Sequence, residues 1–116
     1  MRDQHSAQAA GVAIIVSSVL NQPYKRELSI RNDSRLPIYD VRVFLLGSSE
    51  PKQKKDVPHI LLSRDGKSWQ LPTTFVKGGG AYLEFKDSGG AYWRRDSTGK
   101  LTELSGTTEF KTISHD

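Results

Sequence analysis

The chain has 116 residues, one domain's worth, with ten glycines and five prolines against 35% hydrophobic residues, a balance that favours a small, turn-rich domain over a helical bundle. Its 17 basic and 13 acidic side chains leave a net charge of +4 with both signs interspersed, which argues against wholesale disorder and concentrates positive charge only around Lys52, Lys54 and Lys55. Cysteine is absent, which excludes disulfides, thiolate catalysis, zinc-thiolate sites and iron–sulfur ligation, and leans slightly toward a cytoplasmic protein.

Residues 1–10 are polar and alanine-rich, a composition suited to the end of a helix. The apolar run at residues 9–20 includes Ser17 and Ser18 and is too short to span a bilayer. It also lacks the flanks of a signal peptide, so the sequence reads as that of a soluble chain. Gly11 breaks the helical pattern. Residues 12–19, VAIIVSSV, are β-branched enough to predict a strand buried on both faces. A turn at Asn21, Gln22 and Pro23 leads to a half-exposed strand over residues 25–32, whose inward pair is Leu28 and Ile30.

Asn32, Asp33 and Ser34 close that strand, and Pro37 prevents a helix. Residues 38–46 predict a longer strand with Tyr39, Val41, Val43 and Leu45 in register. The hydrophilic stretch 47–58, with two prolines and the lysine cluster, reads as a mobile loop. A short strand is expected at residues 59–63, then an Asp65-Gly66 hairpin turn returning through Trp69 and Leu71. Residues 76–80, VKGGG, read as a turn: strand follows the glycines, where a phosphate-binding loop needs a lysine, a hydroxyl and a helix.

Residues 81–104 then alternate strand, glycine turn, strand, turn, the pattern of an antiparallel meander. Phe110 and Ile113 suit a last edge strand or a loose tail. The fold class expected is all-β: an antiparallel sandwich of seven or eight short strands over residues 11–113, with a small β-barrel as the alternative. Its core is expected to hold Ile14, Val16, Leu28, Ile30, Val41, Val43, Leu61, Leu83, Phe85 and Trp93.

Few residues carry chemistry. His5, His59 and His115 are too scattered to converge on a metal. Asp87, Asp96 and Glu103 flank Trp93 and raise a carboxylate-pair hydrolase only distantly, because aspartates beside turns serve the backbone. Asn32-Asp33-Ser34 is a formal glycosylation sequon without meaning in a bacterial or cytoplasmic chain. The candidate surface contacts are Lys52, Lys54, Lys55, Tyr92, Arg94 and Arg95, since arginines beside exposed rings can stack on bases or clamp phosphates. Alternation limits that idea. With Trp93 inward, Tyr92 and Arg94 share the outer face as an ordinary cation–π pair.

Two segments carry a resemblance. Residues 28–43, LSIRNDSRLPIYDVRV, are similar to an N-x-S-x-x-P-V-Y-D-V-x-V stretch, and residues 83–101 to an F-x-D-x-x-G-x-x-W-x-R-x-x-x-G-x-L stretch. Both recur in uncharacterised actinobacterial proteins, in a C-terminal domain that follows membrane-spanning or coiled-coil helices. Lys77-Gly78-Gly79-Gly80 departs from the proline-glycine turn of those relatives. The resemblance implies an immunoglobulin-like sandwich used as an accessory module, tethered to the membrane in a longer chain, with residues 1–10 as the remnant of an upstream helix. It brings no known activity. The functional expectation is a non-enzymatic module without cofactor or metal, which binds a protein partner or its own copies through a sheet face or edge. The alternative is an anion or nucleic-acid binder using Lys52, Lys54, Lys55, Arg94 and Arg95.

Overall fold

The computed structural model describes residues 7–19, 22–47, 50–71 and 80–104. After one helical turn at residues 7–10 come eight strands: β1 (Val12–Val19), β2 (Gln22–Asn32), β3 (Tyr39–Leu45), β4 (Lys52–Gln53), β5 (Asp65–Leu71), β6 (Ala81–Lys86), β7 (Tyr92–Asp96) and β8 (Leu101–Glu103). They form two antiparallel sheets, β1-β2-β5 and β4-β3-β6-β7-β8. The fold is therefore an all-β sandwich, and the barrel alternative falls away. The expected terminal strand at Phe110 and Ile113, the loose tail, His5, His115 and most of the 76–80 turn lie outside the described residues.

Period-two alternation builds the core. Val12, Ile14, Leu28 and Ile30 face inward from the three-stranded sheet, and Val41, Val43, Leu83, Phe85 and Trp93 from the other. Val16, expected in the core, is only partly buried against it. Phe85 is completely buried, and truncating such a side chain costs about 3–5 kcal/mol.

Trp93 donates its indole N–H to Asp87 Oδ2 at 2.9 Å, while Asp87 Oδ1 accepts from the Gly89 and Ala91 amides at 2.9 Å each. One buried carboxylate thus fixes both the β6–β7 turn and the central ring. Gly90 lies in that turn at φ +93°, a conformation that favours glycine. Asn32 plays a similar part in the segment between β2 and β3. Its amide donates to the carbonyls of Leu36 (2.9 Å) and Leu61 (3.0 Å), and its oxygen accepts from the Ser34 amide and hydroxyl.

Several expectations are corrected. Residues 59–63 form no strand; Leu61 makes a single bridge to Ile38 as the chain crosses from one sheet to the other. Asp65 and Gly66 are not a hairpin turn but the start of β5, opposite Asn32 and Arg31 of β2. The glycine is needed there because a Cβ would come within 2.8 Å of the Ile30 carbonyl oxygen. The turn falls just before, where the Asp65 amide bonds the Leu62 carbonyl and Arg64 takes φ +66°. Within the expected loop, Lys52 and Gln53 pair with Leu45 and Phe44 as β4. Finally, β1 is not buried on both faces. Among the described residues it is an edge strand, and its Ile15 is 55% exposed.

Candidate interaction surface

The outer face of the five-stranded sheet is closed by its own side chains. Register places Arg42 of β3, Glu84 of β6 and Arg94 of β7 in one cross-strand row. Glu84 Oε2 accepts from Arg94 Nη2 at 2.7 Å and from Nε at 3.1 Å, and Glu84 Oε1 lies 3.4 Å from Arg42 Nη2. In the adjacent row the rings of Phe44 and Tyr82 stack at 4.9 Å, and the Arg94 guanidinium lies 4.6 Å from the Tyr82 ring centre. The cation–π partner of Arg94 is therefore Tyr82, not Tyr92. Tyr92 instead lies beneath Lys86 at 5.9 Å.

The Tyr92 hydroxyl donates to Asp40 Oδ2 at 2.9 Å, and Lys86 Nζ is 3.9 Å from the same oxygen. Partial burial raises the Tyr92 pKa above its ordinary value, and the bonded, negatively charged Asp40 raises it further, while Arg42 opposes them. Asp40 holds this position at φ +51°, within a register shift between Tyr39 and Arg42.

The two arginines of the Trp93-Arg94-Arg95 run have opposite fates. Arg94 lies on the outer face. Arg95 crosses to the N-terminal segment, where its Nε donates to the Val12 carbonyl (2.9 Å) and its Nη2 to those of Ala10 (3.2 Å) and Ala9 (3.4 Å); its Nη1 reaches the Gly99 carbonyl (2.7 Å). A guanidinium satisfied by four backbone carbonyls acts as a structural clamp. Gln8 secures the same segment, donating to Pro37 O (3.2 Å) and accepting from the Ser88 amide (3.1 Å).

The lysines lie elsewhere. Lys52 and Lys54 belong to the β4 edge, the opposite margin of the sheet from β7 and β8. Lys54 Nζ sits 5.3 Å from the Trp69 ring centre on β5 of the other sheet, and Lys55 is exposed beside it. Thus Lys52, Lys54 and Lys55 gather at one margin, Tyr92 and Arg94 on a sheet face, and Arg95 between the sheets. The structure does not bring the six together.

Two of the carboxylates near Trp93, Asp87 and Asp96, are committed to donors of their own turns and of the Trp93 indole. Asp96 Oδ1 accepts from the Thr98 hydroxyl and amide and from the Lys100 amide, and these bonds, led by the hydroxyl, lower its pKa. A shallow cleft of about 620 Å³, lined by Tyr39, Asp40, His59, Ile60, Lys86 and residues 87–90, opens beside the β6–β7 turn.

The edge of β1 differs from all of this. The Asp33 amide bonds the Gly11 carbonyl at 2.8 Å, so 11 and 33 form a hydrogen-bonded pair. The register then makes Ala13, Ile15 and Ser17 exchange their backbone bonds with β2, and turns the N–H and C=O groups of Val12, Ile14, Val16 and Ser18 away from it. Arg95 takes the Val12 carbonyl. Among the described residues, nothing pairs with the outward backbone of the other three, along an edge whose strand carries no charge and no proline. Alongside β1, a shallow trough of about 470 Å³ on the outer face of the three-stranded sheet is floored by Ala13, Ile15, Ser29, Gly66 and Ser68 and rimmed by Arg31, Arg64, Asp65 and Lys67.

Sequence reasoning reached the apolar character of residues 12–19 but not the edge position. Strand order depends on distant pairing, and no local signal in VAIIVSSV specifies it. The fold and these surfaces define a two-sheet antiparallel sandwich. No family model matches the chain, and no curated protein matches it.

Proposed function

We propose that this domain is a non-enzymatic interaction module that docks a polypeptide, a protein partner or its own copy, along an open sheet edge. The observation that supports it is β1, which has the composition of a central strand and the position of an edge strand. Natural edges are blunted by lysine, proline, bulges or short length. Eight uncharged residues that end in a single register shift at Ser18 and Val19 leave most of this edge unprotected. Strand addition uses such an edge: main-chain bonds supply affinity and alternate side chains supply selectivity.

The resemblance of residues 28–43 and 83–101 extends the proposal to an immunoglobulin-like accessory domain of a larger bacterial protein. The non-enzymatic reading draws support from Asp87 and Asp96, whose oxygens already serve backbone and indole N–H groups. Anion or nucleic-acid binding has less support, because Arg94 is paired with Glu84, Arg95 is held by carbonyls, and the lysines occupy another margin.

Amide hydrogen exchange tests the proposal. In dilute protein the amides of Ile14, Val16 and Ser18 should exchange rapidly while those of Ala13, Ile15 and Ser17 are protected. Equal protection of all six in the monomer would show the edge already covered, and the proposal would fail.

A further inference from the structure

We infer that the occupant of the β1 edge is β1 of a second copy, paired antiparallel about a two-fold axis at Val16. The inference rests on the open-edge reading above and adds the identity of the partner.

The first argument is charge. A strand that selects a charged partner carries the complementary charge. VAIIVSSV carries none, so two copies meet without repulsion and neither finds a reason to prefer a charged competitor. The second is geometry. The outward backbone groups belong to Ile14, Val16 and Ser18, which are evenly spaced about Val16. An antiparallel pair centred there sets Val16 against itself and Ile14 against Ser18 of the other copy, twice over. Every outward donor then meets an outward acceptor, as an isologous two-fold contact requires.

The third argument is Ile15, an exposed large aliphatic side chain with Ala13 and Ser17 along its own strand, Ser29 directly opposite, and Arg31 and Glu27 diagonal to it on β2. Under this pairing Ile15 faces Ser17 of the other copy and lies diagonal to the other Ile15, close enough for aliphatic contact. The exposed side chain gains a partner of its own kind. The fourth is where the open stretch stops. Arg95 closes the edge at the Val12 carbonyl, outside the segment from Ile14 to Ser18 that the dyad uses. The assembly joins the two three-stranded sheets into one continuous sheet through their β1 strands.

Sedimentation equilibrium from micromolar to near-millimolar concentration tests this. The wild-type chain should show a reversible monomer–dimer equilibrium. Ile15→Lys and Ile15→Glu, each at an exposed position that leaves the core intact, should weaken it by roughly tenfold or more, because like charges then meet diagonally. Mixing the two variants should restore the dimer. Ser18→Pro, which deletes an outward N–H, should weaken it by a separate route. A wild-type dimer unmoved by all three substitutions would place the contact elsewhere and overturn the inference. A strictly monomeric chain would also overturn it, and amide exchange then separates the cases. Rapid exchange at Ile14, Val16 and Ser18 keeps the edge open for a different partner, whereas protection there removes the docking proposal as well.

Discussion

The two sheets of this sandwich treat their surfaces in opposite ways. The five-stranded sheet pairs its outer-face groups with one another, Arg42 Nε excepted: Glu84 joins Arg42 to Arg94, Tyr82 lies between Phe44 and Arg94, and Asp40 accepts from Tyr92. Its β4 margin is two residues long, follows Pro51 and is lined by Lys52, Lys54 and Lys55. The three-stranded sheet mixes small side chains with Arg31 and Glu27 on its outer face and, among the described residues, has a long uncharged strand at its margin. The lysines that look like a binding patch are therefore better understood as guards of an edge, and the plain apolar strand is the surface proposed for a partner. Stability should reside in the first sheet and association in the second.

Substitutions can break or sharpen that division. The largest effect is expected at Asp87. Asp87→Ala strands the Ala91 and Trp93 N–H groups in the core, frees the Gly89 amide of the turn, and should lower unfolding free energy by about 4 kcal/mol, measured by chemical denaturation. Glu84→Gln comes next. It leaves two arginines facing each other without their shared carboxylate, and partial exposure of both limits the loss to about 2 kcal/mol. Neither change should alter the dissociation constant of the folded chain for its partner. Ile15→Lys should do the reverse, shifting unfolding free energy by no more than about 0.5 kcal/mol while weakening association. If Ile15→Lys destabilised the monomer as much as Glu84→Gln, the division between the sheets would collapse.

The smallest effects are pH-dependent and belong to the five-stranded sheet. The Asp96 pKa is lower folded than its ordinary value of 3.8, so its contribution is complete above that value and is lost as pH falls through the folded pKa. Asp96→Asn keeps an acceptor but cannot titrate, and should flatten that part of the acid limb. The Tyr92 pKa is raised above 10.0, so its contribution is complete below that value and disappears as pH rises through the folded pKa. Asp40→Asn should bring the tyrosine ionisation, followed by ultraviolet absorbance, back toward its ordinary range.

Most of the core was legible because alternation is local. Leu28 and Ile30, Val41 and Val43, and Leu83 and Phe85 face inward as their spacing requires. The β6–β7–β8 meander was legible for the same reason, its turns being marked by glycine and aspartate. What failed depended on distant contacts. Asp65-Gly66 resembles a hairpin turn, yet the glycine answers the approach of β2. The 59–63 segment has strand composition, but its backbone pairs with residues 38–41 only through an isolated bridge from Leu61 to Ile38 and one bond from the Val41 amide to the His59 carbonyl. Arg94 stacks on Tyr82 rather than Tyr92 because the partner lies on the neighbouring strand. The candidate interface was hidden most completely. Apolar character on both faces of residues 12–19 predicts cover on both faces, and only strand order reveals that one flank has no strand beside it among the described residues.

A single cysteine tests the central claim most directly, because the chain has none of its own. Val16→Cys would place two thiols opposite each other on the dyad, within disulfide reach. Ala13→Cys would hold them well apart under the same pairing. Mild oxidation should convert the Val16→Cys protein rapidly to a covalent dimer and leave Ala13→Cys largely monomeric. Equal rates for the two, or no cross-linking at Val16, would contradict the pairing of β1 with its own copy.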